Sequence, residues 1–203
     1  MRKNVRIAAP VLSTLLATAV LAIAPSPARA DGVTVPAVPP GLEVDGAVPF
    51  LEGHAVGTQN YVCLPSGTGF AWSLFTPEAT LFWDGDEQLT THFFGPNPDE
   101  SGTIRAAWEH SRDSSTVWAS LVKASSDAAF VAADAIPWLK LQVVGTRAGP
   151  GGGDKLTWTT FIQRIHTAGG VAPATGCAAA SDVGARAFVP YTADYYFYAP
   201  YGR

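Results

Sequence analysis

Cysteine is scarce in this chain: two residues in 203, Cys63 and Cys177. That excludes a small scaffold held together by many disulfides. A thiolate-rich metal module is excluded too, because neither Cys has a second Cys or a His at short ligand spacing. Basic charge is also in short supply. Thirteen Lys and Arg face 17 Asp and Glu, for a formal charge of −4. A protein that grips a phosphate backbone normally carries the opposite sign, so nucleic acid is not an expected partner. After residue 30 no apolar run reaches the roughly 18 residues that a membrane-spanning helix needs. No Gly-x-Ser-x-Gly elbow occurs, and no internal repeat recurs at solenoid spacing. The one glycine cluster, Gly149 to Gly153, leads into a strand pattern rather than a helix. It cannot cradle a pyrophosphate as a dinucleotide turn does, and no cofactor is expected. Asp84, Asp86 and Glu87 share one turn, where carboxylates are solvated, so they do not make a glycosidase pair.

What is present begins with an N-terminal pattern. Arg2, Lys3 and Arg6 precede an apolar stretch from Ile7 to Ile23, and Ala28-Arg29-Ala30 follows. A basic head, an apolar middle and small residues two apart predict an export signal at residues 1–30, cut after Ala30. Cleavage removes Arg2, Lys3, Arg6 and Arg29 and no acidic residue, which takes the formal charge to −8. The expected location is secreted or extracytoplasmic, with no membrane association once the signal is gone. In an oxidising compartment the simplest reading of Cys63 and Cys177 is one disulfide. A free reactive thiol and a metal pair are the competing readings.

Residues 31–47, rich in Val, Pro and Gly, predict an extended arm that ends as an edge strand near Leu42 to Val44. Residues 48–203 predict a single β domain. Period-two alternation starts at Val56, and Pro65-Ser-Gly-Thr-Gly reads as a turn. Further strands follow at Phe70–Phe75, Ala79–Trp83 and Gln88–Phe94, with Pro77 separating the first two and Asp84-Gly85 as a hairpin signal. Thr103–Trp108, Thr116–Ala124 and Ile136–Gly145 continue the series. Lys155 to His166 predicts a long central strand with Ile162 and Arg164 on one face and Gln163 and Ile165 on the other. Bulky residues on both faces imply cover on both sides. Residues 187–198 form the last strand, with Pro190 at a bulge or edge. The fold class is therefore all-β, a single-domain sandwich or barrel of about eight or nine short strands.

Three residues stand out as candidate ligand-binding groups: His92, Gln163 and Arg164. His92 opens a His-Phe-Phe-Gly-Pro run; its bland alternative is a loop anchor. Arg164 lies on a strand among bulky neighbours, and a buried Arg needs a carboxylate or several carbonyls. Asp194 and Asp134 are the expected partners for an internal ion pair; the functional alternative is a clamp for a ligand carboxylate or phosphate. Of the four histidines, none has His-x-His or His-x-x-x-His spacing, and no metal site is expected. His110 is expected to be exposed in a polar turn. Along the last strand Tyr195 and Phe197 point one way and Tyr196 and Tyr198 the other, so at most one set can line a groove.

Several stretches occur in a fixed order: Gln59-x-Tyr61-x-Cys63, Trp72 with Pro77 and Ala79, His92-Phe-Phe-Gly-Pro96, Ile136-Pro-Trp-Leu139, Ile162-Gln-Arg-x-x-Thr-x-Gly-Gly-x-x-Pro173, Cys177, and Tyr191-Thr-Ala-Asp-Tyr-Tyr-Phe-Tyr198. As a set they resemble the domain-of-unknown-function 3455 family, mostly exported bacterial and fungal proteins, from roughly Val48 to Tyr198. The chain departs from the family pattern at Gly95-Pro-Asn-Pro98 with Glu100-Ser-Gly102, where the family has Gly-Pro-x-Trp and Asp-Gly-Ser. It also reads Arg164-Ile-His-Thr167 where the family has Arg-Val-Asn-Thr. The resemblance implies a fold and an exported home, not an activity. Two function classes remain side by side: a secreted β domain that binds a small molecule, glycan or surface partner, and a hydrolase or other enzyme with a polar pocket around His92 and Arg164.

Overall fold

A computed structural model describes residues 32–84 and 86–202. The expected export signal and Gly85 of the Asp84-Gly85 hairpin lie outside the described residues. Eight strands run in chain order: β1 Ala47–Ser66, β2 Gly69–Phe82, β3 Gln88–Asn97, β4 Thr103–His110, β5 Thr116–Ser125, β6 Trp138–Arg147, β7 Phe161–Gly169 and β8 Arg186–Pro200. Each pairs antiparallel with the next, and β8 pairs back onto β1, so the sheet closes into an up-and-down barrel. Of the two expected architectures, the barrel is the one formed. Among the described residues no helix is long and apolar enough to cross a membrane.

Alternation dictates what fills the barrel. On β8, Tyr191, Ala193, Tyr195 and Phe197 join Leu51, Leu81, Leu89, Val117, Leu141 and Ile162 in the interior core. On β1 the inward positions from Gly53 to Gly57 are small. A Cβ on Gly57 would sit 2.1 Å from the Glu78 carbonyl oxygen and 2.5 Å from Ala79 Cα. Glycine there is what lets β1 and β2 approach.

Where two strands are expected, Gly69–Phe82 forms one. Pro77 lies inside β2, opposite Gln59 of β1. The β2–β3 ladder begins only at Ala79, so at Pro77 no neighbour on that side needs the missing N–H. Pro190 is tolerated in the same way. It pairs with Thr58 of β1, while the β7 ladder stops at Tyr191.

The arm makes no strand at Leu42–Val44. Instead it lies on the outer face of the barrel. Leu42, fully buried, packs with Val131, Trp138, Ile165, Tyr196 and Tyr198 in a second apolar cluster, bordered by Val33, Val35 and Val38. β7 is thus covered on both sides, as its bulky faces imply, although the strand starts at Phe161 rather than Lys155.

Cys63 and Cys177 form a disulfide with a Cα–Cα distance of 5.5 Å. This removes the free-thiol and metal-pair readings. The bond ties the connection between β7 and β8 to β1 and closes a loop of 114 residues. Chain entropy assigns such a loop up to about 5 kcal/mol of stabilisation.

Candidate functional site

The barrel interior is not filled throughout. Where β2 and β3 part company above Ala79, a cavity of about 390 Å³ opens between β1, β2, β3, β4, β5, β6, β7 and β8. Its wall includes Tyr61, His92, Trp108, Leu141, Arg164 and Tyr195. At its mouth Leu74, Ile104 and Leu121 are 39 %, 59 % and 60 % exposed. The site is therefore an apolar-rimmed pocket with polar groups set in its wall, the usual composition of a small-molecule site.

His92 points inward from β3 and is buried. Its Nδ1 lies 2.9 Å from the Ala107 carbonyl oxygen. A carbonyl can only accept, so Nδ1 carries the proton and Nε2 is left as an acceptor. The ring stacks on Trp108 with centroids 4.2 Å apart and planes within 9°. Tyr195 approaches the same ring at 5.3 Å. Burial drives the His92 pKa down to about 3; the Ala107 bond opposes this, and the nearby Arg164 charge adds to it.

Arg164 projects inward from β7 and is 8 % exposed. Its Nη2 donates to the Pro137 carbonyl at 2.8 Å. Its Nε has no partner. Among the described residues no carboxylate forms an ion pair with it. Both expected partners are elsewhere. Asp194 faces outward, where its two carboxylate oxygens meet His54 Nδ1 at 2.7 Å and His166 Nδ1 at 2.8 Å. Asp134 is exposed. The internal ion pair expected from the sequence is absent, and a buried guanidinium faces a cavity with its charge unmatched. Trp108 Nε1, in the same wall, is also without a partner.

Gln163 is not part of this pocket. One residue along β7 means the opposite face of the sheet. Its Nε2 donates to the Leu42 carbonyl at 2.5 Å, and its Oε1 accepts from the Tyr198 hydroxyl. Gln163 therefore clasps the arm to the barrel wall. His92 and Arg164 come together; Gln163 stands back to back with them. Tyr195 and Phe197 face the interior while Tyr196 and Tyr198 lie under the arm. No exposed aromatic groove is built from this strand.

His110 is buried rather than exposed. The Arg112 amide donates to its Nδ1 at 3.2 Å, and burial lowers its pKa. It braces the β4–β5 turn, away from the pocket. Of the wall residues, Pro137 belongs to the Ile136-Pro-Trp-Leu139 stretch and Trp108 is one of the chain's aromatics, but neither signal points to a pocket; the unmatched charge on Arg164 does, but only once its partners are known.

No curated protein and no solved structure matches the chain. Residues 45–199, nearly the whole barrel, match the family described as protein of unknown function (DUF3455), and the chain belongs to that family.

Proposed function

We propose that this protein is an exported barrel that binds a small amphipathic acid, its carboxylate against Arg164 and its apolar body along the pocket toward Leu74, Ile104 and Leu121. The observation that carries the reading is the buried Arg164 guanidinium, which among the described residues has no carboxylate partner. A desolvated charge without a counterion is costly, and a ligand acid supplies what the chain omits. The planar fork of Arg suits a carboxylate better than a point charge would. With Nδ1 bonded to the Ala107 carbonyl, His92 Nε2 remains as the acceptor for a hydroxyl on the ligand. A hydrolytic reading finds His92 and Arg164 in one pocket, but a general base works best with a pKa near the working pH. Burial holds His92 near 3.

The test uses anilinonaphthalene sulfonate, an acid on an apolar ring system, with the disulfide-intact mature chain. Fluorescence should rise on binding, fall when decanoate is added and persist when decanol is added. Arg164→Met should abolish the decanoate effect. Equal displacement by acid and alcohol, or unaltered displacement in the variant, would overturn the assignment.

A further inference from the structure

On the outside of the barrel, three neighbouring strands bring two histidines and two carboxylates together. Register places His54 of β1 opposite Asp194 of β8. On the other flank of β8, Ile165 of β7 is opposite Asp194, and the register slips between Ile165 and Ala168. Simple alternation would send His166 into the barrel, as it sends Arg164. At the slip His166 takes φ +48°, and its ring turns outward onto Asp194, where its side chain is 45 % exposed. β-Bulges re-aim side chains in this way. The result is Asp194 flanked on both sides by imidazoles, His54 Nδ1 at 2.7 Å on Oδ1 and His166 Nδ1 at 2.8 Å on Oδ2. Glu52, two residues before His54 and on the same face, completes the group. One donor atom each from Glu52, His54 and Asp194 lies within 4.8 Å of the others. Asp84 lies 3.6 Å from His54 Nε2. Among the described residues no Lys or Arg forms an ion pair with Glu52, Asp84 or Asp194.

From this placement we infer a binding site for a divalent transition ion of the zinc class, held by His54, His166, Asp194 and Glu52. Two imidazoles with carboxylate oxygens suit a four-coordinate borderline ion. The set offers too few oxygens for calcium, which takes six to eight, and no sulfur for a soft monovalent ion. Zinc–nitrogen and zinc–oxygen bonds of about 2.0–2.2 Å require the donors to close around the ion. His54 and His166 are about half exposed at the side chain, so their rings have room to turn. His166 also packs edge-on against Trp138, centroids 5.3 Å apart, and Glu52 Oε1 accepts from the Tyr196 hydroxyl at 2.6 Å, which leaves its other oxygen for the ion. Because the donors come from β1, β7 and β8, the bound ion staples the strands at the seam where the barrel closes. The site is separate from the pocket: Arg164 and His166 leave the same strand on opposite sides of the wall.

The experiment is calorimetric titration of untagged, disulfide-intact mature chain with zinc chloride after chelator treatment, paired with thermal unfolding. The expected result is one equivalent bound and a rise in Tm that grows with free zinc. His166→Asn keeps a residue type that tolerates positive φ, and Asp194→Asn keeps shape. Each should weaken zinc by at least about tenfold, the low end of what losing even an outer-sphere partner costs. Arg164→Met should leave zinc binding unchanged. Absence of saturable binding, or binding that survives His166→Asn and Asp194→Asn in variants that unfold cooperatively, would overturn the assignment.

Discussion

Replacing Arg164 by Met separates a ligand clamp from a strand lock, because the two roles give opposite signs. In a lock, the guanidinium would belong to a buried ion pair, and removing one member leaves the other charge uncompensated at a cost of about 3–5 kcal/mol. Here no carboxylate forms such a pair among the described residues. What Met forfeits is one charged hydrogen bond, to the Pro137 carbonyl at 2.8 Å, worth about 1.5–3 kcal/mol. What it recovers is the desolvation of a nearly buried cation, several kcal/mol per ion before partial solvation through the pocket is counted. The difference predicts an apo protein between unchanged and about 3 kcal/mol more stable, with roughly 2 kcal/mol corresponding to a rise of about 1 M in the urea midpoint. The assay is urea unfolding of both proteins with the disulfide intact, without and with decanoate. Wild type should gain about 2.7 kcal/mol at a ligand concentration near 100 times Kd, and the Met variant nothing. A loss of more than about 2 kcal/mol in the unliganded variant would refute the reasoning, since it would mean that the chain itself uses the charge.

Two further outcomes follow from the same structure. Leu42→Ala should cost about 2–5 kcal/mol, because the side chain is fully buried between the arm and the wall; limited proteolysis should then cut within residues 32–46, and a loss below about 1 kcal/mol would show that the arm is not part of the folded unit. His92 gives a pH dependence whose sign is fixed by burial. With a folded pKa of about 3 against an unfolded value near 6.5, the unfolded chain takes up a proton that the folded chain refuses. Its stabilising contribution is complete above pH 6.5 and declines as pH falls toward 3, with a slope approaching 1.4 kcal/mol per pH unit, about one proton's worth. His92→Gln should remove that slope from urea midpoints measured between about pH 6 and 4; parallel profiles for the two proteins would mean that His92 protonates freely in the fold.

The strands were legible in the sequence because period-two alternation is a local property, and so was the disulfide, because two lone cysteines behind an expected export signal have few other uses. Closure was not. Whether β8 returns to β1 depends on pairs such as His54 and Asp194, 140 residues apart, and nothing local encodes them. The same distance hid the outer cluster: a search for short histidine spacing cannot see donors that meet through the register of three strands. Pro77 read as a break because proline withholds an N–H, and only the sheet shows that no partner there asks for it. His166 stands where the family pattern has Asn, and φ +48° explains why both types fit; its outward turn, against alternation, could not be read from the residue alone. The most instructive case is Gln163 beside Arg164. Their closeness in sequence drew attention to a polar group inside an apolar strand, and alternation already placed them on opposite faces. One face was the barrel interior and the other was the bed of the arm. Two adjacent polar residues in a doubly covered strand therefore serve two different burials. Gln163 has a backbone carbonyl and a tyrosine hydroxyl to satisfy it. Arg164 is left with a single carbonyl and an open cavity. On the proposed reading, that contrast marks Arg164, and not Gln163, as the residue that a ligand acid would partner.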